Sequence, residues 1–249
     1  MECLRFRVLT VNVHKGFSFF NRRFILSDLR EAVRAVGADI VFLQEVLGEH
    51  ALHAERHADW PTTPQYEYLA DTLWGSQAYG RNAVYPHGHH GNALLSRFPI
   101  RAQANHDASH PGDESRGLLH CVLTPPDGAP EIHTVCVHLG LRESHRGPQL
   151  RQLCELVKSL PADAPTVVAG DFNDWQAKGH RLLTSCVDLK EVFVEAQGRP
   201  VRTFPARWPL LPLDRIYVRN AQQTHPLALP RRPWSHLSDH APLAAEVVA

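Results

Sequence analysis

The chain predicts an α+β fold in which β-sheets pack on one another and helices lie outside them. Two observations predict it. Short apolar strand-like runs outnumber helix-like ones, and neighbouring runs are joined by hairpin turn sequence, so the sheets are partly antiparallel rather than a simple parallel array. Residues 4–13, LRFRVLTVNV, alternate and then turn apolar, as a strand does that enters a core. Ser27 is placed to cap a helix whose apolar positions Leu29, Val33 and Val36 fall at helical spacing, and Gly37 is its stop. IVFL at 40–43 and NALLS at 92–96 read as core strands. GLLHCVLTP and EIHTVCVHL flank the turn sequence PDGAP and predict a hairpin. Leu150, Leu153, Val157 and Leu160 mark a second amphipathic helix, and TVVAG, DRIYV and APLAAEVV complete the strands.

With 249 residues, 43% hydrophobic and 21% charged, the chain suits one domain spanning 1–249 with a sizeable core. Its 26 basic and 26 acidic residues cancel, whereas a protein gripping many nucleic-acid phosphates usually carries a basic excess. The five cysteines form no CxxC pair and are odd in number, which argues against a disulfide framework and for a reducing compartment. The N-terminal MECLRFRVLTVNV lacks a signal-peptide cleavage site, and no apolar run approaches the ~20 residues of a membrane span. A cytoplasmic protein with no obligate protein partner is the expectation.

Polar residues concentrate at the ends of these runs. Asn12 and His14 follow VLTV, Glu45 follows IVFLQ, and His138 follows TVCV. Asp171 and Asn173 follow TVVAG, Asp214 opens DRIYV, and Asp239 and His240 precede APLAAEVV. Alone, GDFND is as well explained by an Asx turn, and SDH by a loop. Together they are harder to explain as turns, because acids that end apolar strands pay desolvation unless a cation or hydrogen bonds compensate. Short acidic and amide side chains on one sheet edge suit a hard cation such as Mg2+.

The ordered set TVNVH, LQEV, GNALLSRFP, ESRG, CVHLG, AGDFND, LDRIYV and LSDHAPL resembles the endonuclease/exonuclease/phosphatase superfamily over essentially the whole chain. HKGFSFFNRRF, YGRNAVYP, HHGNA and VHLGLRE look like its bacterial YbhP-type subgroup. The resemblance implies a four-layer α/β/β/α sandwich of two packed mixed sheets. It also implies a Mg2+-dependent hydrolase of phosphate esters, with Mn2+ as a substitute. Asn12 and Glu45 would hold the metal, with Asp239 beside it. Asp171 would activate the attacking water, Asn173 would contact the phosphate, and His240, held by Asp214, would stabilise its charge. His138 matches a general-acid position. Arg116, Asn92 and His14 would contact phosphate or the metal's waters, although His14 stands where some members carry an acid.

Other readings are weaker. The 17 histidines, including His87, His89 and His90 in YPHGHHGN, raise a zinc site, but no HExxH occurs and the glycine-flanked cluster reads as a flexible loop. His53, His57, His106, His110 and His225 read as surface residues, and the stretch 74–91 as a loop that either floors a pocket or is pinned by aromatic packing. Phe19, Phe20, Arg22 and Arg23 suit either a phosphate clamp or a solvated loop. A noncatalytic binding module predicts the loss of a key acid or histidine, and none is lost. For substrate, a small-molecule or phospholipid-like ester is favoured over DNA by the neutral net charge.

Overall fold

The computed structural model describes residues 3–249; Met1 and Glu2, which open the N-terminal segment discussed above, lie outside them. In chain order the first half comprises β1 (Arg5–Asn12), α1 (Leu26–Val36), β2 (Ile40–His50), α2 (Ala51–Arg56), α3 (Gln65–Ala70), β3 (Ser76–Tyr85), β4 (Gly88–Ser96) and β5 (Ile100–Asp107). The second half comprises β6 (Gly117–Leu123), β7 (Ile132–His138), α4 (Glu143–Ser159), β8 (Thr166–Asp171), α5 (Lys178–Val187), β9 (Lys190–Glu191), α6 (Val192–Gln197), β10 (Asp214–Arg219), β11 (Gln223–Leu227) and β12 (Leu243–Val248). Two six-stranded mixed sheets result, in the orders β11-β12-β1-β2-β4-β3 and β5-β6-β7-β8-β10-β9.

Three apolar layers make this a four-layer sandwich. Phe6, Val8, Ile40, Phe42, Leu94, Leu119, Ile216 and Val247 pack between the sheets. Leu9, Val11, Leu29, Val33 and Trp74 join the first sheet to α1 and its neighbours, and Val135, Val137, Leu153, Val157 and Leu183 join the second sheet to α4 and α5. No helix among the described residues is long and apolar enough to cross a membrane.

Strand parity places the polar residues. Side chains alternate across a strand, so in β1 the run Phe6, Val8, Thr10, Asn12 faces the other sheet while Leu9 and Val11 face outward. The same count puts His138 with Ile132 and Cys136, Asp171 with Val167 and Ala169, and Asp214 with Ile216 and Val218, all on the inter-sheet face. Parallel pairing of β1 with β2 and of β7 with β8, with β12 and β10 antiparallel to their neighbours, brings these residues to one edge.

Several expectations are corrected. Helix α1 starts at Leu26, so Ser27 lies inside it and supplies no cap; Gly37 does end it, at φ +65°. The stretch 74–91 is mostly strand, and His89 and His90 belong to β4, not to a flexible loop. β4 runs from Gly88 to Ser96 because β2, running on to His50, pairs with it on one side and β3 on the other along that length. His53 and His57 are partly covered, packing against Phe17 and Trp60, rather than lying free on the surface.

Candidate active site

Asp171 is the centre of the edge. In the second sheet it pairs in register with His138 on one side and Asp214 on the other. Gly170 before it has φ +146°, and a Cβ there would meet Val137 O at 2.0 Å, so the close approach of β7 and β8 requires glycine. Asp171 Oδ1 accepts the Asn173 N–H at 2.9 Å, an Asx turn inside the site. Asn173, at φ +50°, ties its amide to Leu139 O at 2.9 Å. The last acid of GDFND serves the fold alone, since Asp174 accepts the Gly179 N–H at 2.7 Å at the start of α5.

The first sheet faces it. Asn12 Nδ2 lies 3.4 Å from both Asp171 Oδ2 and Glu45 Oε1. Parity alone would turn Glu45 outward with Val41 and Leu43. A bulge between Leu43 and Val46, with Glu45 at φ +57°, turns it to the cleft instead. His14 Nδ1 stands 3.3 Å from Asp239 Oδ2 and 3.8 Å from Glu45 Oε2. Ser238 latches the second acidic loop, donating to Asn12 O at 2.7 Å and accepting the His240 N–H at 3.2 Å. His240 crosses to the second sheet, its Nδ1 2.8 Å from Asp214 Oδ2 and its Nε2 3.8 Å from Asp171 Oδ2.

The sequence profile of the Endonuclease/Exonuclease/phosphatase family matches residues 9–240, which spans every one of these groups. The chain belongs to that family. It is 59% identical to YbhP of Escherichia coli K12 over 242 residues, covering 97% of this chain and 96% of that one. Among solved structures it is similar to an endonuclease/exonuclease/phosphatase from Beutenbergia cavernae (TM-score 0.76, 21% identity, 98% of this chain and 71% of the other). It is also similar to one from Bacteroides vulgatus (TM-score 0.74, 16% identity, 98% of both) and to a humanized D. rerio TDP2 (TM-score 0.69, 18% identity, 98% of both). These likenesses carry the fold.

In this family member the protons are strongly perturbed. Burial pushes the Asp171 carboxyl up, reinforced by Asp214 and Glu45 and opposed by His240, to about 7. For His240 burial opposes the charge, but Asp214, Asp171 and Asp239 override it and raise the imidazole to about 10. His138, 3.5 Å from Asp171 Oδ2, is held well below its ordinary value by burial and then by Arg116 and His240.

The residues fit a divalent cation. Four carboxylates (Glu45, Asp171, Asp214, Asp239) face one imidazolium, and the buried His14 Nε2 has no partner. Asp171, Asp214 and His240 lie within ligating reach of one another, but the charged His240 is one of that trio and would repel an ion there. Glu45, Asp239 and Asn12, with oxygen donors and partial exposure at the two acids, are the better hard-cation set.

Asn92 departs from expectation. It is fully buried, and its amide hydrogens go to Gly117 O at 2.9 Å and Cys136 O at 3.2 Å, so it bridges the two sheets and has no donor left for a phosphate. Arg116 does sit in the site's field, bound to Glu114 at 3.2 Å. His90, weighed in the sequence only as a zinc ligand, and Tyr85, within the stretch 74–91, meet beside the site. His90 Nε2 bonds Glu114 Oε1 at 2.7 Å and its Nδ1 meets Tyr85 Oη at 3.3 Å. That bond, aided by Arg116 and opposed by burial, holds Glu114 down at about 2. His90 lies in HHGNA and Glu114 in ESRG, but neither ends an apolar strand and nothing local pairs them. Sequence reasoning missed buried Arg215; it braces Pro212 O, Asp214 O and Asp174 O.

Proposed function

We propose that this protein is a Mg2+-dependent phosphoester hydrolase in which water attacks phosphorus directly, with Asp171 as the general base. The observation that carries this reading is the pairing of a buried carboxyl raised to about 7 with an imidazolium stabilised to about 10 across one cleft. A base near neutrality deprotonates water efficiently, typically for a rate gain of ~100- to 10,000-fold. His240, fixed by Asp214, supplies a preorganised positive charge to a phosphate oxygen. The second N–H of the Asn173 amide and the Arg116 guanidinium are assigned to the remaining oxygens. His138 is assigned hydrogen bonding to Asp171 in place of the general-acid role, because a neutral imidazole is a weak proton donor.

Asn12, Glu45 and Asp239 would hold Mg2+, or Mn2+ in its place, and His14 would hydrogen-bond one of its waters. The ion when bound polarises a nonbridging oxygen and stabilises the leaving oxygen. A small or phospholipid-like ester is the favoured substrate, and a cytoplasmic location agrees with the unpaired cysteines. The test is hydrolysis of bis-p-nitrophenyl phosphate by EDTA-treated protein with Mg2+ titrated back, beside nicking of supercoiled plasmid. Mg2+-dependent ester hydrolysis lost in Asp171→Asn supports the proposal. Efficient nicking with poor ester turnover would transfer the site to DNA.

A further inference from the structure

The exposed apolar residues are not scattered. Phe20 (69% exposed), Leu141 (66%), Trp208 (67%) and Leu210 (64%), with Trp175 and Leu211, all lie on loops that leave the active-site edge. Phe20 follows β1 and Leu141 follows β7. Trp175 follows β8, and the other three form a turn ahead of β10. The seventh large exposed apolar side chain among the described residues, Val84, lies near the tip of the β3–β4 hairpin, which projects from the same edge.

Two grooves collect most of these residues. Phe20, Arg22, Arg207 and Trp208 share a groove of about 380 Å³. Trp175, Arg202, Leu210 and Leu211 share another of about 670 Å³. The Arg146 guanidinium lies 4.9 Å from the Trp175 ring and donates to Leu141 O. The belt is also fastened to the catalytic loops. The Ala206 N–H bonds Asp239 O at 2.7 Å, and the Phe204 ring packs 5.1 Å from the His240 ring.

Arginines line its rim. The arginines that pair with carboxylates are Arg5, Arg7, Arg30, Arg34, Arg97, Arg101 and Arg116. Arg22, Arg23, Arg207, Arg231 and Arg232 have no such partner among the described residues. A contiguous apolar belt on a protein surface marks an interaction site. Trp and Phe with Leu at loop tips, ringed by unpaired arginines, match the layered chemistry of an anionic bilayer surface, with apolar tips in the acyl boundary and cations at the headgroups. Single-stranded nucleic acid uses aromatic faces and cations but gains little from three leucines, and a second copy would bring arginines against arginines.

We infer that this belt docks the enzyme on an anionic phospholipid surface, so that its substrate is a phosphoester carried by a lipid at that surface. The inference deepens the hydrolase reading and rests on it for the chemistry. Water's oxygen bonds phosphorus, the P–O bond to the leaving alcohol breaks, and the proton taken by Asp171 matches the one the alcohol acquires.

The test is flotation of the full chain with vesicles of phosphatidylcholine alone or mixed equally with phosphatidylglycerol. Wild type should float with the mixed vesicles only. Phe20→Ser/Trp208→Ser should weaken that partition about 100-fold, roughly tenfold for each aromatic withdrawn from the acyl boundary. Arg207→Gln should weaken it less, by about fivefold. Hydrolysis of lipid phosphoester in the mixed vesicles should fall with partition, while turnover of soluble bis-p-nitrophenyl phosphate stays within about twofold. Wild type that ignores the mixed vesicles, or a double variant that floats like wild type, overturns the inference. So does an oligonucleotide or a self-association lost in the double variant while vesicles are ignored. If soluble turnover is absent but flotation behaves as expected, the hydrolase reading fails and the docking surface stands.

Discussion

The two sheets contribute unlike halves to one cleft. The first sheet and its loops bring Asn12, His14, Glu45 and Asp239, three of them partly exposed and short of positive charge. The second sheet brings His138, Asp171 and Asp214, all buried, and the surroundings displace the proton affinities of His138 and Asp171 strongly. His240 hangs from the first sheet but is charged by the second. Each half therefore suits its own chemistry. A hard cation that keeps its waters needs the open side, whereas proton transfer at neutral pH needs carboxylates that burial has made basic.

The largest effect expected from breaking this division is in Asp171→Asn. Turnover should drop about 1,000-fold or more, while the metal-free protein should melt about 3 °C higher at pH 8. The sign follows from the raised carboxyl. Its contribution to stability is full below the ordinary Asp range and lost as pH rises through about 7, so at pH 8 the wild type carries a buried charge that His240 only partly offsets and that Asn lacks. Unchanged melting would show that burial is not what tunes Asp171.

His240→Gln should reduce kcat about 100- to 1,000-fold. The wild-type pH–rate profile should rise through about 7 and fall near 10. Asp214→Asn removes the first attraction that raises His240, so its alkaline limb should move to lower pH. His240's raised value also stabilises the fold, fully below its ordinary range and progressively less as pH rises through about 10, and Asp214→Asn should shift that alkaline loss to lower pH. A limb that stays in place in Asp214→Asn assigns it to another group.

On the open side, Glu45→Gln should raise the Mg2+ concentration for half-maximal rate about tenfold or more, and saturating Mg2+ should restore much of kcat. No rescue would move Glu45 out of the cation set. The smallest effect belongs to His138→Gln, about fivefold in kcat with the alkaline limb unmoved, as one hydrogen bond to Asp171 would give. A larger loss with a displaced limb would return His138 to acid catalysis.

Much of this was legible in the sequence because strands obey parity. Apolar runs bounded by a polar residue, at their end for Asn12, His138 and Asp171 and at their start for Asp214, pointed to one edge, and the family motifs pointed to the fold. What parity cannot read is where the rule breaks. Glu45 reaches the cleft through a bulge, and Asn92 looked like a site residue because it sits in GNALLS, yet its hydrogens are used to join the sheets. His90 and Glu114 are partners from β4 and a loop 24 positions on, a pairing with no local signature. Strands β3, β5 and β11 were missed because they lie at or near sheet edges, where polar residues interrupt the apolar pattern.

The division between the two halves is probed most directly by the rate of bis-p-nitrophenyl phosphate hydrolysis against pH, with EDTA-treated protein and Mg2+ titrated back at each point. An open cation side joined to a buried proton-transfer side predicts no turnover without the ion, and with it a profile bounded near 7 and 10. Turnover that persists in EDTA, or a flat profile across that window, would contradict it.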